Sequence, residues 1–142
     1  MALKVNKIEV WVGEMDDRPG GLAKILKGLG DAGANLEGVI ARRQPDRPGT
    51  GVVFLSPIKS KRAKAAAHSL GLRPAMDVGG LRVEGPDKGG VGAKLTGALA
   101  DAGVNLRGVS ALALGKKFVA YFGFDSNADA ANAAKVLRRA KL

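Results

Sequence analysis

The chain opens on an alternation. Val5 is followed by Ile8, Val10 and Val12, interleaved with Lys7, Glu9 and Trp11. This is the period-two pattern of a half-buried strand, and it predicts one over residues 3–14. On that phase Ile8, Val10 and Val12 lie under helices and Trp11 lies on the opposite, helix-free face. The period then changes. Leu22, Ile25, Leu26 and Leu29 recur at the i, i+3, i+4, i+7 spacing of one buried helical face, and a helix is expected over about 20–32. Residues 36–43 read as a second strand and the Pro-, Asp- and Gly-rich stretch 44–51 as a hairpin loop. A third strand is expected at 52–56, and a second helix at 57–70 with Ala63, Ala66, Ala67 and Leu70 inward. Residues 72–78 follow as a short fourth strand.

The same succession restarts after Gly79-Gly80, which reads as a short hinge. A strand at 81–85, a helix at about 90–102, a strand at 104–114 and a strand at 118–124 follow. Phe118, Phe122 and Phe124 alternate onto one face of the last strand, toward a core. Ser126 then caps a final helix, with Asp129 three residues on. The order is βαββαβ and then βαββα. It implies an α+β chain of two tandem ferredoxin-like βαββαβ units, with domains 1–78 and 79–142 and the second unit lacking its last strand. The strand at 81–85 would then have an open edge, which is a pairing hazard. Residues 72–78 or a strand of another chain are expected to cover it and merge the two sheets.

The duplication is also visible residue by residue. At a fixed offset of 70, residues 17–39 align without a gap with residues 87–109, and 12 of the 23 positions are identical. They are Asp17, Gly20, Ala23, Lys24, Leu29, Asp31, Ala32, Gly33, Asn35, Leu36, Gly38 and Val39 with their counterparts. A period this long fits a duplicated small domain and not a solenoid. Each copy runs from an acidic residue through a glycine-rich turn into a helix, and leaves the helix at Asp-Ala-Gly. Backbone N–H groups at such a helix start seat a carboxylate or phosphate.

Composition narrows the chemistry. The net charge is +10, with an excess of five basic residues in each half, and there is no cysteine and one histidine. Disulfides, thiol chemistry and zinc sites therefore drop out. His68 shares the polar side of the second helix with Lys61 and Lys64 and reads as a solvated residue. No Gly-x-Ser-x-Gly and no Walker A loop occurs, and the adjacent carboxylates Asp16 and Asp17 read as a solvated turn. No catalytic residue, metal or cofactor is expected. The N-terminal segment has no apolar run of signal length and no stretch suits a membrane span, so a cytoplasmic protein is expected. Trp11, placed on a bare sheet face, implies an interface and at least a homodimer.

Asp-Arg-Pro-Gly-Gly-Leu-Ala at 17–23, followed by Asp-Ala-Gly-Ala-Asn-Leu at 31–36, resembles the ACT-domain family of small regulatory modules that bind amino acids. The resemblance covers nearly all of 5–124 as two copies. The second copy departs from it, with Gly89 in place of the proline and Gly92 in place of the leucine. The resemblance implies a free-standing, non-enzymatic regulator of amino-acid metabolism acting through a partner enzyme or regulator. It implies a ligand held between two ACT units by the turn and by the asparagine before the second strand. Carried over, these are Asp17, Pro19, Gly20, Gly21, Leu22 and Asn35, and Asp87, Gly90, Val91 and Asn105. The asparagines equally suit plain turn chemistry. A rival reading is RNA binding, since the RNA-recognition motif shares this strand order and the chain is basic. Against it, the phenylalanines of 118–124 face the core, and the basic residues gather on the second helices.

Overall fold

The computed structural model describes residues 3–141. They form two compact units. One is Glu9–Ala75; the other combines the segment up to Ile8 with the segment from Met76 onward. Among the described residues no helix is long and apolar enough to cross a membrane.

The first unit contains β2 (Trp11–Asp16), α1 (Gly21–Asp31), β3 (Gly38–Arg43), β4 (Thr50–Ser56), α2 (Lys61–Ser69) and the two-residue β5 (Arg73–Pro74). Its antiparallel sheet has the order β3-β4-β2-β5. Trp11, Ile25, Leu29, Val53, Leu55, Ile58, Ala63, Ala67 and Leu72 make its core.

The second unit begins with β1 (Lys4–Ile8), ahead of the first in sequence. It then takes β6 (Gly79–Pro86), α3 (Val91–Asp101), β7 (Gly108–Leu114), β8 (Lys117–Phe124) and α4 (Asn127–Arg139). Its sheet has the order β1-β6-β8-β7. Leu81, Val83, Leu95, Leu99, Phe118, Phe122, Phe124 and Leu137 are buried in it, which places the three phenylalanines inside as their alternation implied. Both sheets are ferredoxin-like, and the two helices that follow the outer strand pairs, α2 and α4, are capped by Ser60 and Ser126.

Three expectations are corrected. First, residues 3–14 are two strands and not one, broken at Glu9–Val10. β1 pairs antiparallel with β6, from Lys4 opposite Glu84 to Ile8 opposite Gly80. β2 pairs with β4 and β5. The empty edge of the second unit is thus filled by the N-terminal strand. Residues 73–74 pair inside their own unit, and the two sheets stay separate. Val5 sits in the second core at 6% exposure, and the Arg138 guanidinium donates to the Val5 carbonyl. The division 1–78 and 79–142 therefore differs from the structure by the exchanged N-terminal strand and by residues 76–78, which also belong to the second unit.

Second, Gly79-Gly80 is no hinge. Both residues are buried and open β6. A Cβ on Gly79 would collide with the Ser126 carbonyl and with Ala130, so the glycine admits the start of α4.

Third, Trp11 is not on a bare face. It is 1% exposed, in the first core, its ring edge-on to His68 at 5.2 Å between centroids. Its indole N–H donates to Glu9 at 3.0 Å. The inward positions of β2 are Trp11, Gly13 and, half-buried, Met15. A Cβ on Gly13 would overlap the Leu72 side chain. One very large residue and one without a side chain share the face, so a hydropathy count favours the opposite phase.

Candidate functional site

Each glycine-rich turn links the first strand of a ferredoxin-like unit to its first helix: residues 17–20 between β2 and α1, residues 87–90 between β6 and α3. All eight residues are exposed. Gly20 and Gly90 are the N-cap residues, at φ of 89° and 84°, a left-handed backbone that suits glycine and strains residues with a Cβ. Neither cap offers the helix a side chain. The Ser60 and Ser126 side chains, by contrast, accept N–H bonds from Ala63 and Asp129 on α2 and α4. The N–H groups of Leu22 and Ala23 on α1 and of Gly92 and Ala93 on α3, which follow those of Gly21 and Val91, thus receive no side-chain cap and face an outside acceptor at the positive ends of two helix dipoles.

The backbone fixes both turns alike. The Asp17 N–H donates to the Gly49 carbonyl at 3.0 Å and the Asp87 N–H to the Lys116 carbonyl at 2.8 Å. Gly21 and Val91 donate to Arg18 and Lys88 at 3.0 and 3.2 Å. The copies differ at the root of the turn. A Cβ on Gly21 would collide with the Asp16 carbonyl, whereas the second copy carries Val91 there and so cannot close as tightly.

The side chains differ more. Asp17 accepts a bond of 2.6 Å from Arg43 Nε at the end of β3. Arg18 pairs with Asp16 at 3.3 Å and Arg47 pairs with Glu14. At the offset of 70 Arg43 becomes Ala113 and Asp16 becomes Pro86. Asp87 has no side-chain partner among the described residues. Arg43 did not emerge from the turn motif; lining up the copies beyond residue 39 would have exposed it.

The turns and the asparagines are not together within a unit. Asn35 and Asn105 are exposed and follow the C-terminal ends of α1 and α3. Each of those helices has 11 residues, about 16 Å at 1.5 Å per residue. A single amino acid cannot touch both ends of one helix. Asn105 Oδ1 accepts the Leu106 N–H at 3.0 Å, which is the turn chemistry the sequence left open. The Asn35 carboxamide has no such bond among the described residues.

Residues 10–67 match the family model described as the ACT domain. Over these residues the chain is similar to an ACT domain. That match spans the first unit from β2 into α2, including the turn at 17–20 and Asn35. The second ACT-like unit follows from the internal repeat and from its sheet order, which repeats that of the first with β1 in the fourth place.

Solved structures share this fold over nearly the whole chain. Protein BT0572 from Bacteroides thetaiotaomicron is 14% identical, with a TM-score of 0.76 over 92% of this chain and 88% of its own. The ligand-free regulatory subunit of aspartate kinase from Thermus thermophilus is 18% identical, with a TM-score of 0.68 over 100% of this chain and 98% of its own. The corresponding subunit from Thermus flavus is 18% identical, with a TM-score of 0.62 over 96% and 95%. At these identities the likeness establishes the fold. No curated protein matches the sequence.

Proposed function

We propose that this protein is a non-catalytic cytoplasmic regulator that binds a small ligand, an amino acid, through its ACT turns and passes the signal to a partner enzyme of amino-acid metabolism. The observation that carries this reading is the contrast in capping. Where serines close α2 and α4, the glycine turns leave α1 and α3 uncapped. Such N–H groups fit an α-carboxylate. Asp17 and Asp87, next to them, fit an α-ammonium group. Their distance from Asn35 and Asn105 means that a pocket using turn and asparagine together draws them from two ACT units, and we take a homodimer as the working form. The fold neighbours from the two Thermus species are regulatory subunits, in keeping with a role in control.

The test is a thermal-shift screen against the twenty amino acids, with single-stranded RNA as the rival ligand. Binding to the folded state alone stabilises by about 2.7 kcal/mol at a ligand concentration of 100 times Kd. A rise in Tm with one amino acid or a small group of them is expected. A rise with RNA and with no amino acid would overturn the proposal.

A further inference from the structure

We propose that the outward face of α2 is a docking surface for an acidic helical segment of a partner protein. The inference rests on the regulatory reading above for the existence of a partner, and it does not depend on which ligand the turns hold.

α2 carries its charges at the end where they cost stability. Lys61, Arg62 and Lys64 lie at its start, and Lys59 comes just before its cap. The N-terminus is the positive end of the helix dipole, which favours anions and disfavours cations. The first turn holds no acidic residue, and the cap is the neutral Ser60 hydroxyl. α4 is built the other way round, with Asp129 in its first turn and Arg138 and Arg139 in its last. Both helices bury small residues: Ala63 and Ala67 on α2, Ala130, Ala133 and Ala134 on α4. Helix stability therefore accounts for the cations of α4 and not for those of α2.

Nothing in the first unit compensates them. Residues 47–76 contain six lysines and arginines and no aspartate or glutamate. The Lys59, Lys61 and Lys64 side chains have neither an ion pair nor a hydrogen bond among the described residues. α1 packs beside α2, and its only carboxylate, Asp31, is held by Lys27 at 2.8 Å. Arg62 reaches the main-chain carbonyl of Asp31, at 2.9 Å, which fixes this guanidinium beside the lysines.

An acidic helix is the occupant that fits. Lys61, Lys64, Ala65 and His68 are all exposed and follow one another at i, i+3, i+4 and i+7, one stripe of the helix. Ala65, among the cations, lets a second helix come close. The lysine stems can then lie along it while their ammonium groups reach its carboxylates. A face of nine residues is about 14 Å long, which suits a transient, salt-sensitive contact. Nucleic acid fits less well. α2 has no aromatic side chain on which a base could stack. Its cations also end about two turns after they begin, short of the row of phosphates that duplex binders neutralise.

The test sets one helix against the other. Lys61→Glu with Lys64→Glu reverses charge on α2, and Lys135→Glu with Arg139→Glu makes the same change on α4. The probe is a fluorescein-labelled helical peptide with glutamates at i, i+3 and i+4 spacing. Its anisotropy should report binding to the wild-type protein that weakens with salt. The α2 variant should lose about tenfold or more in affinity and the α4 variant less than about twofold. Stability should move the opposite way. Tm should rise for the α2 variant, whose glutamates suit the N-terminal end and pair with Lys59 and Arg62, and fall for the α4 variant. A fall in Tm for the α2 variant would make Lys61 and Lys64 structural and overturn the inference. So would a peptide that does not bind, equal losses from both variants, or tighter binding of single-stranded or duplex RNA that the α2 variant abolishes. Peptide binding by a protein that responds to no amino acid would sink only the proposed function. An amino-acid response without peptide binding would sink only this inference.

Discussion

At the first turn Asp17 is held at 2.6 Å by Arg43; at the second, Ala113 stands in that position and Asp87 is free of side-chain partners among the described residues. The same helix that lays Leu22 and Leu26 on the first core offers Gly92 and Thr96 in the second. The same strand that ends in two arginines in the first unit ends in Leu112, Ala113 and Leu114 in the second. Duplication kept what makes the fold: Leu29 and Leu99, the helix-ending glycines and the left-handed N-caps. The outer edge and the electrostatics of the turn diverged. The first copy has its carboxylate internally paired and its edge charged; the second has neither. Equivalent backbones therefore present one guarded and one open face.

The largest effects should come from the two cores, and they test whether the units are separable. Leu29→Ala and Leu99→Ala remove equivalent side chains that are both 0% exposed, and each should cost about 2–5 kcal/mol. Trp11 lies in the first core only. In urea, its emission should report an earlier transition for Leu29→Ala and an unmoved one for Leu99→Ala, whose loss appears in circular dichroism. An equal shift in the Trp11 transition from both would mean that the chain unfolds as one body.

The exchanged strand gives the next test. Val5→Asp buries a carboxylate in the second core and should destabilise by about 3 kcal/mol or more. The damage should fall on the unit built from Met76 onward, although Glu9–Ala75 lies next to Val5 in sequence. Amide exchange would locate it: β6 should lose protection and β4 keep it. Loss of protection at β4 with β6 intact would contradict the placement of β1.

Smaller effects should separate the two turns. Asn35→Asp is expected to weaken ligand binding more than Asn105→Asp, because Asn105 already spends its carboxamide oxygen on Leu106 and the aspartate can keep that bond. Titration calorimetry with the responding amino acid would decide it, and equal losses would mean that the asparagines contribute alike. Smallest in stability is Arg43→Ala. The pair it breaks is exposed on the arginine side, at 73%, and should be worth about 0–1 kcal/mol. Its effect on binding should be larger than on stability, tightening the site by releasing Asp17. Unchanged affinity would show that Asp17 takes no part.

Much of the architecture was legible. The period change at Leu22 announced α1, the offset of 70 announced a second unit, and Ser126 announced the cap of α4. The turns fell where the glycines stood. The candidate site was legible only as pieces. Motif reading put Asp17 and Asn35 in one list, yet α1 stands between them, and no local pattern carries a distance of about 16 Å. Arg43 was missed because it belongs to another strand and meets Asp17 through the sheet.

Sequence by itself determined the local elements, because helical and strand periods, serine caps and left-handed glycines are short-range properties of neighbouring residues. It also determined the duplication and the uncharged run from Gly108 to Leu114. Tertiary structure alone decided which sheet receives Lys4–Ile8 and which face of β2 is inside. A five-residue strand states its period but not its partner, and a one-residue change of phase sends every side chain to the other face. Trp11 and Gly13 settle that phase through Leu72, a residue 59 positions beyond Gly13, and only the folded chain brings them together.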